Sequence, residues 1–130
     1  EQNMKKYSQN LLVDVQARGN SIPTSVYDLG KETYTGTFNF KNYTYTNYCF
    51  LNPYGYLNVE VSATTGNKKD TSYTVALYKK TKNTFVDGID VNYGEKVHIV
   101  FPSIDAKEKY YIKLTKGDTG TYAKGTIFLS

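Results

Sequence analysis

Three features of the sequence predict an all-β protein, an antiparallel jelly-roll-like β-sandwich of about eight strands. The first is composition. Fourteen Tyr and six Phe stand among 130 residues, with many Thr and Val, and these residue types suit pleated, half-buried strands. The second is a period-two alternation of apolar and polar residues over short segments. The third is the return of Gly, Pro and Asn turn signals at intervals of roughly 10–15 residues, with no helical stretch between them. Together they exclude a helical bundle, a coiled coil and a disordered tail.

Residues 1–25 read as a linker or an added edge element, and 26–130 as the sandwich. The opening Glu1-Gln2-Asn3-Met4-Lys5-Lys6 has no apolar core of the signal-peptide kind, so a signal is expected to have been removed. Leu11 to Ala17 reads as a strand or one helical turn, and Arg18 to Thr24 has loop composition. The first regular strand is Tyr34–Phe40, with Tyr34, Phe38 and Phe40 on one face and Thr35, Thr37 and Asn39 on the other. Tyr43 to Phe50 forms the second, and Asn52-Pro53-Tyr54-Gly55 a turn with Pro early in it. Tyr56 to Thr64 follows, with Leu57, Val59, Val61 and Ala63 inward.

After the polar loop Gly66 to Asp70 comes a strand over Ser72 to Lys80, then a shorter, less regular one over Thr84 to Val91. Asn92-Tyr93-Gly94 is a tight turn. Glu95 to Phe101 alternates with Val97, Ile99 and Phe101 inward, and Pro102 stops it because proline cannot donate to a ladder. Glu108 to Lys116 turns Tyr110, Ile112 and Leu114 inward. Gly117 to Gly120 reverses the chain, and Tyr122 to Leu129 is the eighth strand.

Counting narrows the chemistry. Sixteen Lys and Arg against twelve Asp and Glu leave a net charge of +4, too mild and too dispersed to call for a nucleic-acid partner. No apolar run approaches the ~20 residues of a spanning helix, so no membrane insertion is expected. One His (His98) and one Cys (Cys49) cannot build a zinc site, which needs three or four such ligands, nor can one Cys close an intrachain disulfide. Phosphate-cradling glycine motifs, a nucleophile elbow and an H-E-x-x-H signature are all absent. His98 lies opposite Val97 and Ile99, a surface position without a nucleophile partner, and Cys49 between Tyr48 and Phe50 reads as a small packed hydrophobe. No catalytic residue is expected; carboxylates that converge only in space are the residual enzyme reading.

Several segments in order carry a family resemblance: Val26-Tyr27-Asp28-Leu29-Gly30-Lys31, Tyr34-Thr35-Gly36-Thr37-Phe38, Tyr48-Cys49-Phe50 and Gly55-Tyr56-Leu57-Asn58-Val59. Tyr73-Thr74-Val75-Ala76-Leu77-Tyr78, Tyr110-Tyr111-Ile112-Lys113-Leu114 and Tyr122-Ala123-Lys124-Gly125-Thr126-Ile127 continue it. The run resembles the bacterial pre-peptidase C-terminal domain and the related collagen-binding domains of secreted proteases, over about residues 26–130. The resemblance implies a jelly-roll-like sandwich, a secreted or cell-surface location and a non-catalytic accessory role. Some relatives bind calcium through acidic residues before the first strand, where this chain has Asp28 and Glu32.

Surface aromatics are the leading binding candidates. Tyr43, Tyr45, Tyr78, Tyr93 and Tyr111 neighbour the inward set in sequence, and rigid amphipathic Tyr offers contact area at low entropic cost. The competing reading is that Tyr fills the core and caps strand edges. Lys79 and Lys80, with Lys82, Lys68 and Lys69, form an expected basic surface for acidic polymers; Lys also blunts sheet edges. Asp87 and Asp90 around Gly88, and Asp118 in the Gly117–Gly120 turn, add calcium candidates, against the ordinary use of Asp in turns. No cofactor is otherwise called for. The expected function is adhesion of a Tyr- and Lys-bearing sheet face to an extracellular protein or polysaccharide. The alternatives are a carbohydrate-binding module proper, although the chain has no Trp, and a ligand-free spacer of a bacterial surface protein.

Overall fold

The alternating segments form strands nearly where the sequence marks them. The computed structural model of the protein describes residues 21–117 and 119–130; the readings on Leu11 to Ala17 and on Asp118 lie outside them. Ten strands follow in chain order: β1 (Val26–Asp28), β2 (Tyr34–Phe40), β3 (Tyr43–Tyr45), β4 (Cys49–Leu51), β5 (Leu57–Thr65), β6 (Ser72–Lys79), β7 (Thr84–Asn92), β8 (Val97–Phe101), β9 (Tyr110–Thr115) and β10 (Ala123–Leu129). A short 3-10 turn, Thr81–Asn83, joins β6 to β7.

Two sheets result. The first runs β1-β4-β9-β6-β7, with β3 also paired to β9, and the second runs β2-β10-β5-β8. Both β3 and β4 pair with β9, so they act as one interrupted strand. With β1 set aside, eight strands then remain in the orders second-seventh-fourth-fifth and first-eighth-third-sixth, which is the jelly roll.

The sheets pack face to face, as sandwiches must to bury one side of each strand. From the second sheet, Phe38, Phe40, Leu57, Val59, Val61, Ile127 and Leu129 enter the core; Tyr73, Val75, Leu77, Tyr110, Ile112 and Leu114 meet them from the first. Phe38, Phe40, Leu57, Val59, Val61, Tyr110, Ile112 and Leu114 among them are the inward positions that alternation predicts. Full burial of a Val, Leu or Ile side chain contributes about 1.5–3 kcal/mol. The Asn52–Gly55 turn forms as expected, with the Gly55 N–H donating to Asn52 O at 3.1 Å and Gly55 at φ 79°, a conformation glycine adopts without strain.

Three elements differ from expectation. The strand expected over Tyr43 to Phe50 is broken at Thr46–Tyr48 because the Thr46 hydroxyl enters the ladder, accepting the Ile112 N–H at 3.2 Å and donating to Tyr48 O at 3.1 Å. The sandwich is not wholly antiparallel: β1 pairs parallel to β4, Val26 opposite Cys49. Finally, β7 is nine residues long rather than shorter, and its irregularity is a bulge opposite Leu77 and Tyr78.

Candidate functional site

The outer face of the first sheet is set by β9. Because Tyr110, Ile112 and Leu114 point into the core, Tyr111, Lys113 and Thr115 point away from it. On β3 the buried residue is Thr44, so Tyr43 and Tyr45 face outward. The register places Tyr45 opposite Lys113, Tyr78 of β6 opposite Tyr111, and Phe85 of β7 opposite Tyr78.

The rings therefore touch in series across four strands. Tyr43 meets Tyr45 edge-on at 5.8 Å between centroids, and Tyr45 meets Tyr111 edge-on at 5.8 Å. Tyr111 and Tyr78 stack at 5.4 Å with planes 9° apart, and Phe85 closes the row edge-on to Tyr78 at 5.7 Å. Edge-to-face and stacked geometries are the preferred arrangements of aromatic quadrupoles. The Lys113 ammonium lies 5.0 Å from the Tyr43 centroid and 5.6 Å from that of Tyr45, within cation–π range.

The strip is graded from a buried centre to an open end. Tyr111 is 1% exposed beneath its neighbours, whereas Phe85 is 56% exposed. Burial pushes the Tyr111 hydroxyl up to about 12, and the nearby Tyr45, Tyr78 and Cys49 groups add to it. That hydroxyl donates to Asn83 Oδ1 at 3.2 Å. Asn83 and its neighbour Lys82 hold φ of 49° and 56°, left-handed conformations unusual for residues other than glycine. The tight 3-10 turn thus anchors the centre of the strip at the cost of local strain.

Four of the five predicted Tyr, namely Tyr43, Tyr45, Tyr78 and Tyr111, come together here. Tyr93 does not. It sits on the β7–β8 turn and packs against Tyr73 at 5.0 Å, its hydroxyl buried without a hydrogen-bond partner. Burial pushes both hydroxyls up to about 12, Tyr73 helped by Tyr93, and Tyr93 by the charge of Asp70.

The expected basic surface also divides. Lys79 is paired with the inward Tyr110, so alternation turns it from the ring-bearing face. Lys80 leaves β6 with its N–H on Lys109 O at 2.8 Å. Lys68 and Lys69 lie in the β5–β6 loop, at the far end of β6 from Lys79 and Lys80, a strand length of roughly 23 Å. The lysine of the strip is Lys113, which shares its parity with Tyr111. Phe85 escapes sequence reading because the bulge shifts parity along β7.

The acidic candidates are separated as well. Asp28 ends β1 and Glu32 follows it at one edge of the first sheet, while Asp87 and Asp90 lie on β7 at the other. Asp28 accepts the Gly30 N–H and Asp87 the Gly88 N–H, each at 2.8 Å; Asp90 accepts the Thr74 hydroxyl at 2.7 Å. These are the local turn and cross-strand roles of Asp. Among the described residues no three His, Cys, Asp or Glu converge. His98 is exposed on the second sheet opposite Glu60. Cys49 is buried, its thiol 3.1 Å from Pro23 O, and burial raises it against the lowering charges of Lys80 and Lys109.

Fold and strip together define a jelly-roll sandwich whose first sheet carries a row of touching aromatic rings with a buried central member. No family model matches the chain, and no curated protein matches it in sequence. Among solved structures, it is similar to a protein of Bacillus endospore appendages, described as disulfide-linked pili, with TM-score 0.49 and 11% identity over 75% of this chain and 83% of that one. It is also similar to part of the insecticidal delta-endotoxin Cry8Ea1 of Bacillus thuringiensis, with TM-score 0.47 and 10% identity over 72% of this chain and 19% of the toxin.

Proposed function

We propose that the protein is a non-catalytic binding domain that attaches to an extracellular protein or polysaccharide through Tyr43, Tyr45, Tyr78 and Phe85, the accessible rings of the strip, with the buried Tyr111 holding them in place from beneath. One observation carries this reading: five rings on four strands touch in an unbroken row with a cation beside it. Rings already fixed against one another lose little freedom when a ligand lands on them, so the apolar contact they make is retained as affinity. The resemblance to pre-peptidase C-terminal domains, with its secreted or cell-surface location, belongs to the same proposal, and the jelly-roll strand order supports it.

The test is retention on insoluble polysaccharides and on immobilised matrix proteins. Tyr43→Ala and Phe85→Ala, at the two ends of the row, are expected to weaken retention on the polymer that holds the wild type by at least about tenfold. Tyr54→Ala, at a 67% exposed ring on the Asn52–Gly55 turn, is expected to leave it unchanged. If no polymer of either kind retards the wild type, or if the end variants bind as well as it does, the proposal fails.

A further inference from the structure

Away from the strip, one end of the sandwich holds a buried ion pair. Lys116, just beyond β9, is 1% exposed at its side chain, and Asp70, in the β5–β6 loop, is 8% exposed; Nζ and Oδ2 lie 3.3 Å apart. The ammonium also reaches Gly117 O at 2.9 Å, Thr121 O at 3.1 Å, Thr119 Oγ1 at 3.2 Å and Lys41 O at 3.3 Å. That makes five oxygens from three connections of the fold around one nitrogen.

An ammonium has three protons to donate. Five surrounding oxygens exceed what those hydrogen bonds can use, and a shell of carbonyl, hydroxyl and carboxylate oxygens is the environment of a bound cation. The cage is also held in place from behind. Asp70 Oδ2 accepts the hydroxyls of Thr119 at 2.8 Å and of Thr65 and Thr121 at 3.2 Å each. Desolvation raises the Asp70 carboxyl, but the hydrogen bonds from Thr119, Lys116 and Thr121, with the Lys116 charge, outweigh it and hold it below its usual range.

We propose that the end of the sandwich is a singly charged cation site whose resident cation is the Lys116 ammonium, and that removing this side chain opens the cage to an alkylammonium or a monovalent metal ion. A single carboxylate among otherwise neutral oxygens matches one positive charge, not two. The tethered ammonium clamps the β2–β3 turn, the β5–β6 loop and the β9–β10 connection together without a dissociable ion.

The test compares thermal midpoints of the full chain at constant ionic strength in choline, potassium, calcium, EDTA and n-propylammonium, the last being the fragment that Lys116→Ala deletes. The wild-type midpoint is expected to be the same in all five. Lys116→Ala is expected to melt about 10 °C lower and to recover saturably with propylammonium, and to a smaller extent with potassium. Asp70→Asn in that background is expected to abolish the recovery. Lys116→Met, whose stem fills the vacancy without charge, is expected to fall similarly and not recover. Where Lys116→Ala does not fold unaided, the same recovery is read as refolding yield with and without propylammonium. Failure of propylammonium to rescue, rescue stronger with calcium than with propylammonium, or a wild-type midpoint that moves with calcium or EDTA overturns the proposal.

Discussion

Thr46 is 4% exposed, and its hydroxyl and N–H make two bonds to Ile112, the N–H donating to Ile112 O at 2.9 Å and the hydroxyl accepting the Ile112 N–H at 3.2 Å. Valine is nearly the same size but accepts no hydrogen bond. Thr46→Val therefore leaves a buried N–H in the centre of the first sheet unpaired, and the expected loss is about 1–3 kcal/mol, since an orphaned donor costs its desolvation. Thr46→Ser keeps the acceptor and is expected to fall less than the Val variant. Denaturant midpoints at unchanged slope measure both; a Val variant as stable as wild type refutes the role given to the hydroxyl. At this scale the sequence is legible through parity alone. Alternation from Tyr110, Ile112 and Leu114 places Tyr111 and Lys113 outward. The same rule applied to Lys79 turns it away from Tyr78, and neither step needs tertiary knowledge. Tyr93 and Thr46 resist that reading because their positions depend on what the turn packs against and on which oxygen replaces a backbone carbonyl.

Strand boundaries are legible where Gly, Pro and Asn frame an alternating run, as with β2, β5, β8 and β10. They are obscure where pairing decides them. The three-residue β1 exists only because β4 offers a parallel partner, and β7 extends to nine residues by following β6 past a bulge. A different constraint operates inside β10, which lies between β2 and β5. Gly125 pairs with Phe38 on one side and Ala63 on the other, and a Cβ there would collide with Ser62 O and lie 2.8 Å from both Ala63 Cα and Phe38 Cζ. Two of those three neighbours are backbone, which cannot step aside without shifting a paired strand. Gly125→Ala is expected to cost at least about 3 kcal/mol, the upper range of overpacking. Gly66→Ala, where a Cβ meets nothing within 4 Å, is expected to be near neutral. Equal melting temperatures for the two variants would contradict the close approach of these three strands.

Fourteen Tyr in one domain couple the whole molecule to alkaline pH. Tyr73 in the core, Tyr93 at the end of the sandwich and Tyr111 under the outer strip each have hydroxyls pushed up to about 12, chiefly by burial. An unfolded Tyr ionises near 10. Below that pH both states hold the proton and the stabilisation is fully present. Between about 10 and 12 the unfolded chain has released protons that the folded one retains, so stability falls as pH rises and is lost through the folded values. As many as three protons separate the two states in this window, so the fall is steep and cooperative rather than gradual. Denaturant midpoints are expected to be level from about pH 7 to 9 and then to drop sharply above about 10. Tyrosinate absorbance from Tyr73, Tyr93 and Tyr111 is expected to appear only as the sandwich opens. Tyr73→Phe is expected to flatten the drop without loss at neutral pH, because it removes a buried hydroxyl that has no hydrogen-bond partner. Ionisation of these three rings with the fold intact would show that the interior admits the charge, and would remove the reason for placing their hydroxyls away from water. The composition that marks the chain as a β-sandwich thereby also sets its alkaline limit, through rings distributed over core, end and outer face by strand pairing.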